Sequence, residues 1–196
     1  MKSIIATAAI ALMAFSINAQ TAKEWKLDKS HASVRFSIDH FFTGVTGKFK
    51  KFDGTFNFDP ANLKGSSASF TIDVTSVDTD EEDRDGHLQS EDFFNAAAHP
   101  NIAFKSTSIE KKGENQYIVN GDLTMRGTTK KVALPMTVKG VIDNPWKEGS
   151  LIMGIEMETT LDRTDYGVGT GSWAATSVVG DEVEIEISME LDSTKE

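Results

Sequence analysis

A period of two runs through this chain and restricts its fold more than any other feature. Val34, Phe36, Ile38 and His40 alternate with Ser33, Arg35, Ser37 and Asp39. Phe52, Gly54, Phe56 and Phe58 alternate with Asp53, Thr55 and Asn57, and Ala68, Phe70, Ile72 and Val74 with Ser67, Ser69, Thr71 and Asp73. Successive side chains of a strand point to opposite faces, so each run has one apolar and one wet face. The pattern returns at Ile102–Ser106, Tyr117–Leu123, Val132–Val138 and Leu151–Leu161. It is cleanest at Val183–Leu191, where Glu182, Glu184, Glu186, Ser188 and Glu190 take the outer face. Eight strands are expected, with a small extra one at Trp25–Leu27 and turns at Asp59-Pro60, Lys112-Gly113 and Asn144-Pro145. Many half-wet strands in one chain predict an all-β antiparallel fold, a barrel or a sandwich. The alternation does not separate these two, although about eight strands can close and leave no edge.

Two segments lack the period. In Thr79–Ala98, Thr79 followed by Glu82 reads as a capping box that opens a short helix, and Ser90-Glu91-Asp92 as the start of a second helical turn. Arg163–Gly180, rich in Gly, Thr and Ser, reads as a long loop of the kind that often carries function. The first residues are of another kind. Lys2, an apolar run from Ile4 to Ile17 and the small residue Ala19 follow the layout of a secretory signal peptide cleaved after residue 19. The run is shorter than the ~20 apolar residues of a spanning helix. The expectation is therefore a signal peptide at 1–19 and one domain at 20–196, periplasmic or otherwise extracytoplasmic, with no stable membrane insertion. The chain has no cysteine, so neither disulfides nor a lipid-modified cysteine enter the argument. Its net charge of -10, without a basic stripe, argues against nucleic acid and against anionic membrane surfaces as partners.

Catalytic and metal-binding patterns are sparse. His31 and His40 lie nine apart on one predicted strand, hence on opposite faces unless a bulge intervenes. No pair among His31, His40, His87 and His99 has the spacing that strands or helices use for zinc, so no metal site is expected. The acidic run Asp78–Asp83 fails the calcium-loop template, because Asp83 holds the position of the sharp-turn glycine. Gly167–Gly171 lacks the flanking strand and helix of a dinucleotide loop, and no nucleophile elbow is present. What remains is apolar: 12 Phe and seven Met. An eight-stranded barrel has just enough interior to be filled by side chains or to hold a small ligand. Inward small residues such as Gly54, Ala68 and Gly121 favour a void.

Several ordered motifs carry a resemblance. Arg84-Asp85-Gly86-His87-Leu88-Gln89-Ser90-Glu91-Asp92-Phe93-Phe94 closely resembles the YceI-like family of exported, lipocalin-like, polyisoprenoid-binding proteins. Leu27–Ser33 with Phe36 and His40, Gly47–Phe49 followed by Phe52–Gly54, His99–Ser106, Gly121–Gly127 and Asp181–Val183 match family motifs in the same order. Arg163-Thr164-Asp165-Tyr166-Gly167 is similar to the family's Arg-x-Asp-Phe-Gly, with Tyr for Phe, and Ala32 stands where the family often has Ser. The resemblance implies an extended eight-stranded antiparallel barrel with a helical insertion near 79–98, and a buried isoprenoid-like or other long-chain ligand.

Under that reading the lining comes from apolar strand faces: Phe36, Ile38, Phe56, Phe70, Ile72, Phe104, Leu123, Met136, Met153 and Met157. Arg84, His87 and Trp173 are candidates for a polar head group at the barrel mouth. Arg84, Asp85 and His87 serve equally well as a clasp that holds the insertion. A one-residue register error would exchange inner and outer faces. Three functions stay open. The favoured one is non-enzymatic binding, storage or transport of a polyisoprenoid, quinone-like or other lipid, bound as ligand and not as cofactor. The others are a filled-barrel stress-response or interaction module, and an enzyme acting on an isoprenoid lipid through His40 or His87. A homodimer also stays open.

Overall fold

The computed structural model describes residues 20–195. The expected signal peptide lies outside the described residues. The fold is all-β, with ten hydrogen-bonded strands. They are β1 (Glu24–His40), β2 (Thr43–Phe49), β3 (Phe52–Asn57), β4 (Ser67–Asp73), β5 (Val77–Asp78), β6 (Asn101–Gly113), β7 (Gln116–Met125), β8 (Thr128–Asp143), β9 (Ser150–Asp162) and β10 (Val179–Thr194). Among the described residues one α-helix, α1 (Glu82–Gln89), interrupts them. All neighbouring strands are antiparallel, and β10 pairs back onto β1 from Lys26↔Asp192 to His40↔Val179, which closes the sheet.

The ten strands make eight walls. β2 and β3 both pair with β1 and form one wall bent at Lys50-Lys51. β4 and β5 form another, bent through the short 3-10 turn Val74–Ser76, with β4 on β3 and β5 on β2. The result is the eight-stranded antiparallel barrel that the motifs implied. The extra strand at Trp25–Leu27 belongs to β1, which changes register between Asp28 and Ala32 and so bulges at Lys29–His31.

The insertion differs in detail from expectation. The N-cap of α1 is Glu81, whose carboxylate accepts from the Arg84 backbone N–H at 2.7 Å, and not Thr79. Thr79 is buried and works as a hub. Its N–H and hydroxyl donate to Asp85 Oδ1 at 2.8 and 2.6 Å. Arg84 donates to its hydroxyl and its carbonyl, both at 2.7 Å. Ser90–Phe94 is a set of turns around the Ser90 carbonyl, which accepts from Phe93 and Asn95, and not a further turn of helix.

The interior is unequal along its length. Toward the end with the β3–β4, β6–β7 and β8–β9 connections it is packed solid. There Phe56, Met136, Met153 and Ile155 are 1 % exposed, and Val119 and Leu191 are 0 % exposed. Phe56 stacks on Phe58 at 5.5 Å, Phe58 meets Tyr117 edge-on at 5.0 Å, and the Trp25 indole N–H donates to the Phe58 carbonyl. Such packing is normal for an interior. Toward the other end, inward-facing Phe36, Ile38, Phe70, Ile72, Val183, Ile185 and Ile187 are only half-buried. They face a void.

Candidate functional site

The void is a cavity of about 190 Å³. Its walls come from the C-terminal parts of β1, β4, β7 and β9 and the N-terminal parts of β6, β8 and β10. Three glycines help to hold it open. A Cβ at Gly47 would lie 2.4 Å from the Phe36 ring, one at Gly54 2.3 Å from Phe70, and one at Gly121 2.5 Å from Phe104. All three rings line the cavity. Each ring approaches a glycine of the adjacent strand more closely than any Cβ would allow.

Two irregular segments cover this end. α1 supplies Leu88, the turns after it Phe93 and Phe94, and the β9–β10 connection Tyr166 and Val168. Two arginines fix them. Arg163 is 4 % exposed and donates to four carbonyls: Gly180, Val168, Trp173 and Val179, all at 2.7–2.9 Å. Gly169 makes room for it, since a Cβ there would overlap the guanidinium. Burial pulls the Arg163 guanidinium below its ordinary proton affinity, and nearby Asp181 and Asp162 oppose this. An arginine stays charged in proteins, so a buried cation holds the loop. Arg126 donates to the carbonyls of Gly167 and Glu91, and the Thr170 N–H donates to the Asp92 carbonyl at 2.7 Å, which ties the two covers together.

Of the ten expected apolar liners, Phe36, Ile38, Phe70, Ile72, Phe104, Leu123 and Met157 border the cavity. Phe56, Met136 and Met153 face inward but lie in the packed end, too far along the barrel axis to reach the void. Arg84, His87 and Trp173 do not border it either. The guanidinium of Arg84 is spent on Thr79 within the insertion itself. His87 sits edge-on against Phe93 at 5.0 Å and Trp173 at 4.9 Å, one layer outside the cavity wall. Sequence reasoning missed Val183, Ile185 and Ile187, although the alternation with Glu182, Glu184 and Glu186 had marked them as inward. It also missed Phe93, Phe94, Tyr166 and Val168, which lie in segments without a period, and the buried role of Arg163.

The lining offers little chemistry. Among the described residues it holds no Ser, Cys, His, Asp, Glu or Lys, and its polar members are Arg35, Thr159, Arg163 and Tyr166. Burial raises the Tyr166 hydroxyl above its ordinary proton affinity, so it stays a neutral phenol. His40 is exposed, with its ring edge-on to Phe41 at 4.7 Å. Away from the cavity, the β1 bulge brings Asp28, His31 and Glu190 within 4.8 Å of one another on the surface. His31 Nδ1 lies 2.9 Å from Asp28 Oδ2, and this hydrogen bond raises the affinity of the imidazole for its proton. At roughly 10–15 Å³ per water position the cavity has room for about ten waters or more, yet few groups to bond them. An apolar chain loses nothing by replacing such water.

Comparison with known proteins agrees with this architecture. The chain is 39% identical over 192 residues to "Protein YceI" of Escherichia coli O157:H7, covering 96% of each. The crystal structure of Burkholderia cenocepacia BcnA superposes with a TM-score of 0.75 at 31% identity, over 86% of this chain and 100% of that one. A polyisoprenoid binding domain from Saccharophagus degradans, at 14% identity and a TM-score of 0.61 over 89% of this chain and 99% of its own, shares the fold. The profile of the YceI-like domain matches residues 25–191. With nearly the whole barrel matched, the chain belongs to the YceI-like family.

Proposed function

We propose that this protein binds, stores or carries a long apolar molecule, a polyisoprenoid or quinone-like lipid, inside the hollow end of its barrel and does no chemistry on it. The observation that carries this reading is the apolar cavity. A hydrocarbon tail has no hydrogen-bonding groups, so its affinity comes from burial at roughly 25 cal/mol per Å². A few hundred Å² then gives about 5–10 kcal/mol before the costs of association are subtracted. Among the described residues the lining has no Ser, Cys, His, Asp, Glu or Lys to pair with Thr159 or Tyr166, which supports a carrier over an enzyme. The name of the Saccharophagus domain points to the same ligand class, through the fold alone. The signal-peptide-like layout of residues 1–19 supports an extracytoplasmic place of work, and the resemblance to exported YceI-like proteins favours the periplasm.

Native mass spectrometry of the purified mature protein, followed by organic extraction, tests the proposal. A stoichiometric long-chain species that leaves with the solvent is the expected result. A bare mass that takes up no added quinone or polyprenyl lipid would overturn it in favour of a module without a lipid.

A further inference from the structure

The β1–β2 turn breaks the local rules of a hairpin. Two-residue turns of this kind favour Asn or Gly, because the backbone enters the left-handed region. Here the turn residues are Phe41 and Phe42, and Phe41 takes φ 52°. A bulky residue there is strained. Both side chains are exposed, Phe41 at 57% and Phe42 at 102%, and the Phe41 ring meets His40 edge-on. They project from the hollow end, three residues beyond the cavity-lining Ile38.

Charge sets this tip apart. In a chain with 26% charged residues, the eight residues His40–Gly47 contain no Asp, Glu, Lys or Arg. Neither do the fifteen residues Tyr166–Gly180 of the β9–β10 connection. The two stretches lie side by side: His40 pairs with Val179, and the Phe41 N–H donates to the Val178 carbonyl at 2.9 Å. Gly171, Ser172 and Ala174–Ser177 are exposed beside the aromatic tip. Next to this neutral surface, the segment from Asp78 to Asp92 is strongly acidic.

We infer that the Phe41-Phe42 tip, with the uncharged Tyr166–Gly180 surface beside it, seats the hollow end of the barrel on the interface of a zwitterionic lipid bilayer. A convex aromatic tip suits a soft medium, where rings enter between head groups and no charge is stripped of water. The acidic flank disfavours anionic lipid. The inference rests on the lipid-carrier reading for its purpose, since docking here sets the cavity against the phase from which an apolar chain would come. The exposed Trp146 at the opposite end stands among Asp143, Lys147 and Glu148, and so lacks the neutral surround.

Co-sedimentation of the mature protein with phosphatidylcholine vesicles tests the inference. The wild type should pellet, and adding phosphatidylglycerol should weaken binding. Phe41→Asn with Phe42→Ser suits the left-handed turn and should lower partitioning at least about tenfold, the effect of withdrawing two rings from an apolar phase. Trp146→Ser should leave it unchanged. Three results would overturn the inference: no pelleting of a folded wild type, equal pelleting of the double variant, or a dimer in sedimentation velocity that Phe42→Ser dissociates while vesicles are ignored. The last would assign the patch to a second copy of the chain. Extraction keeps the two proposals apart. A lipid-loaded protein that ignores vesicles contradicts docking alone, and a protein that pellets but holds no lipid in its cavity contradicts the carrier reading alone.

Discussion

Gly47 and Phe36 show how single residues shape the cavity. The nearest atoms to a Cβ at Gly47 all belong to side chains, of Phe36 and Thr79, so Gly47→Ala can be accommodated by lifting the Phe36 ring off the wall. The ring would then occupy the lumen. Gly47→Ala should stay folded, with a stability loss of about 1–2 kcal/mol in urea titrations, and bind a test isoprenoid roughly tenfold more weakly by fluorescence or calorimetry. Arg163 makes the opposite kind of contribution. Arg163→Leu leaves four carbonyls without their donor and should cost about 2–4 kcal/mol in the same titration. Arg163→Lys should recover little, because three donors on a single nitrogen cannot reproduce the fork. Neither role was readable from spacing. Gly47 shows its purpose only when Phe36 is across from it, and Arg163 stood out only through a motif.

Between strand and turn, one device occurs twice. β4 ends at Asp73 and β9 at Asp162, and in each case the carboxylate accepts from the backbone N–H and hydroxyl of the threonine two residues on, Thr75 or Thr164. Each aspartate caps the 3-10 turn that follows. These bonds, the threonine hydroxyl first, hold both carboxyls below their ordinary 3.8. Asp162→Ala should cost about 1 kcal/mol at neutral pH, as for a lost helix cap. Because the folded-state proton affinity is depressed, the contribution is present above pH 3.8 and is lost as pH falls through the folded value. The gap between wild type and Asp162→Ala in urea should therefore shrink in acid, and a constant gap would contradict the cap. Element boundaries were otherwise hard to read. β2 carries Gly47 where the inward face of a strand would show an apolar residue, and the bends at Lys50-Lys51 and Val74–Ser76 arise from closing the sheet, a tertiary effect without a local signal.

Over the whole barrel, the alternation conveyed which side chains face inward but not how deep each one sits. Met153 and Met157 are both inward on β9, four residues apart. One is sealed in the packed end and the other borders the void. Depth along the barrel axis decides between core and lining, and depth depends on which connections lie at which end. Sequence period carries no such information, so Phe56, Met136 and Met153 looked like liners. The same asymmetry places the apolar cavity, its arginine-fixed cover and the aromatic tip at one end, and solid packing at the other. Among the described residues the five methionines sample both: Met125, Met157 and Met189 line the cavity, while Met136 and Met153 do not. Methionine-methyl NMR of the mature protein, titrated with a short isoprenoid alcohol, tests the division most directly. The account predicts saturable shifts at Met125, Met157 and Met189 with Met136 and Met153 nearly unmoved. Shifts spread evenly over all five, or none at any, would contradict a barrel that binds its ligand at one hollow end.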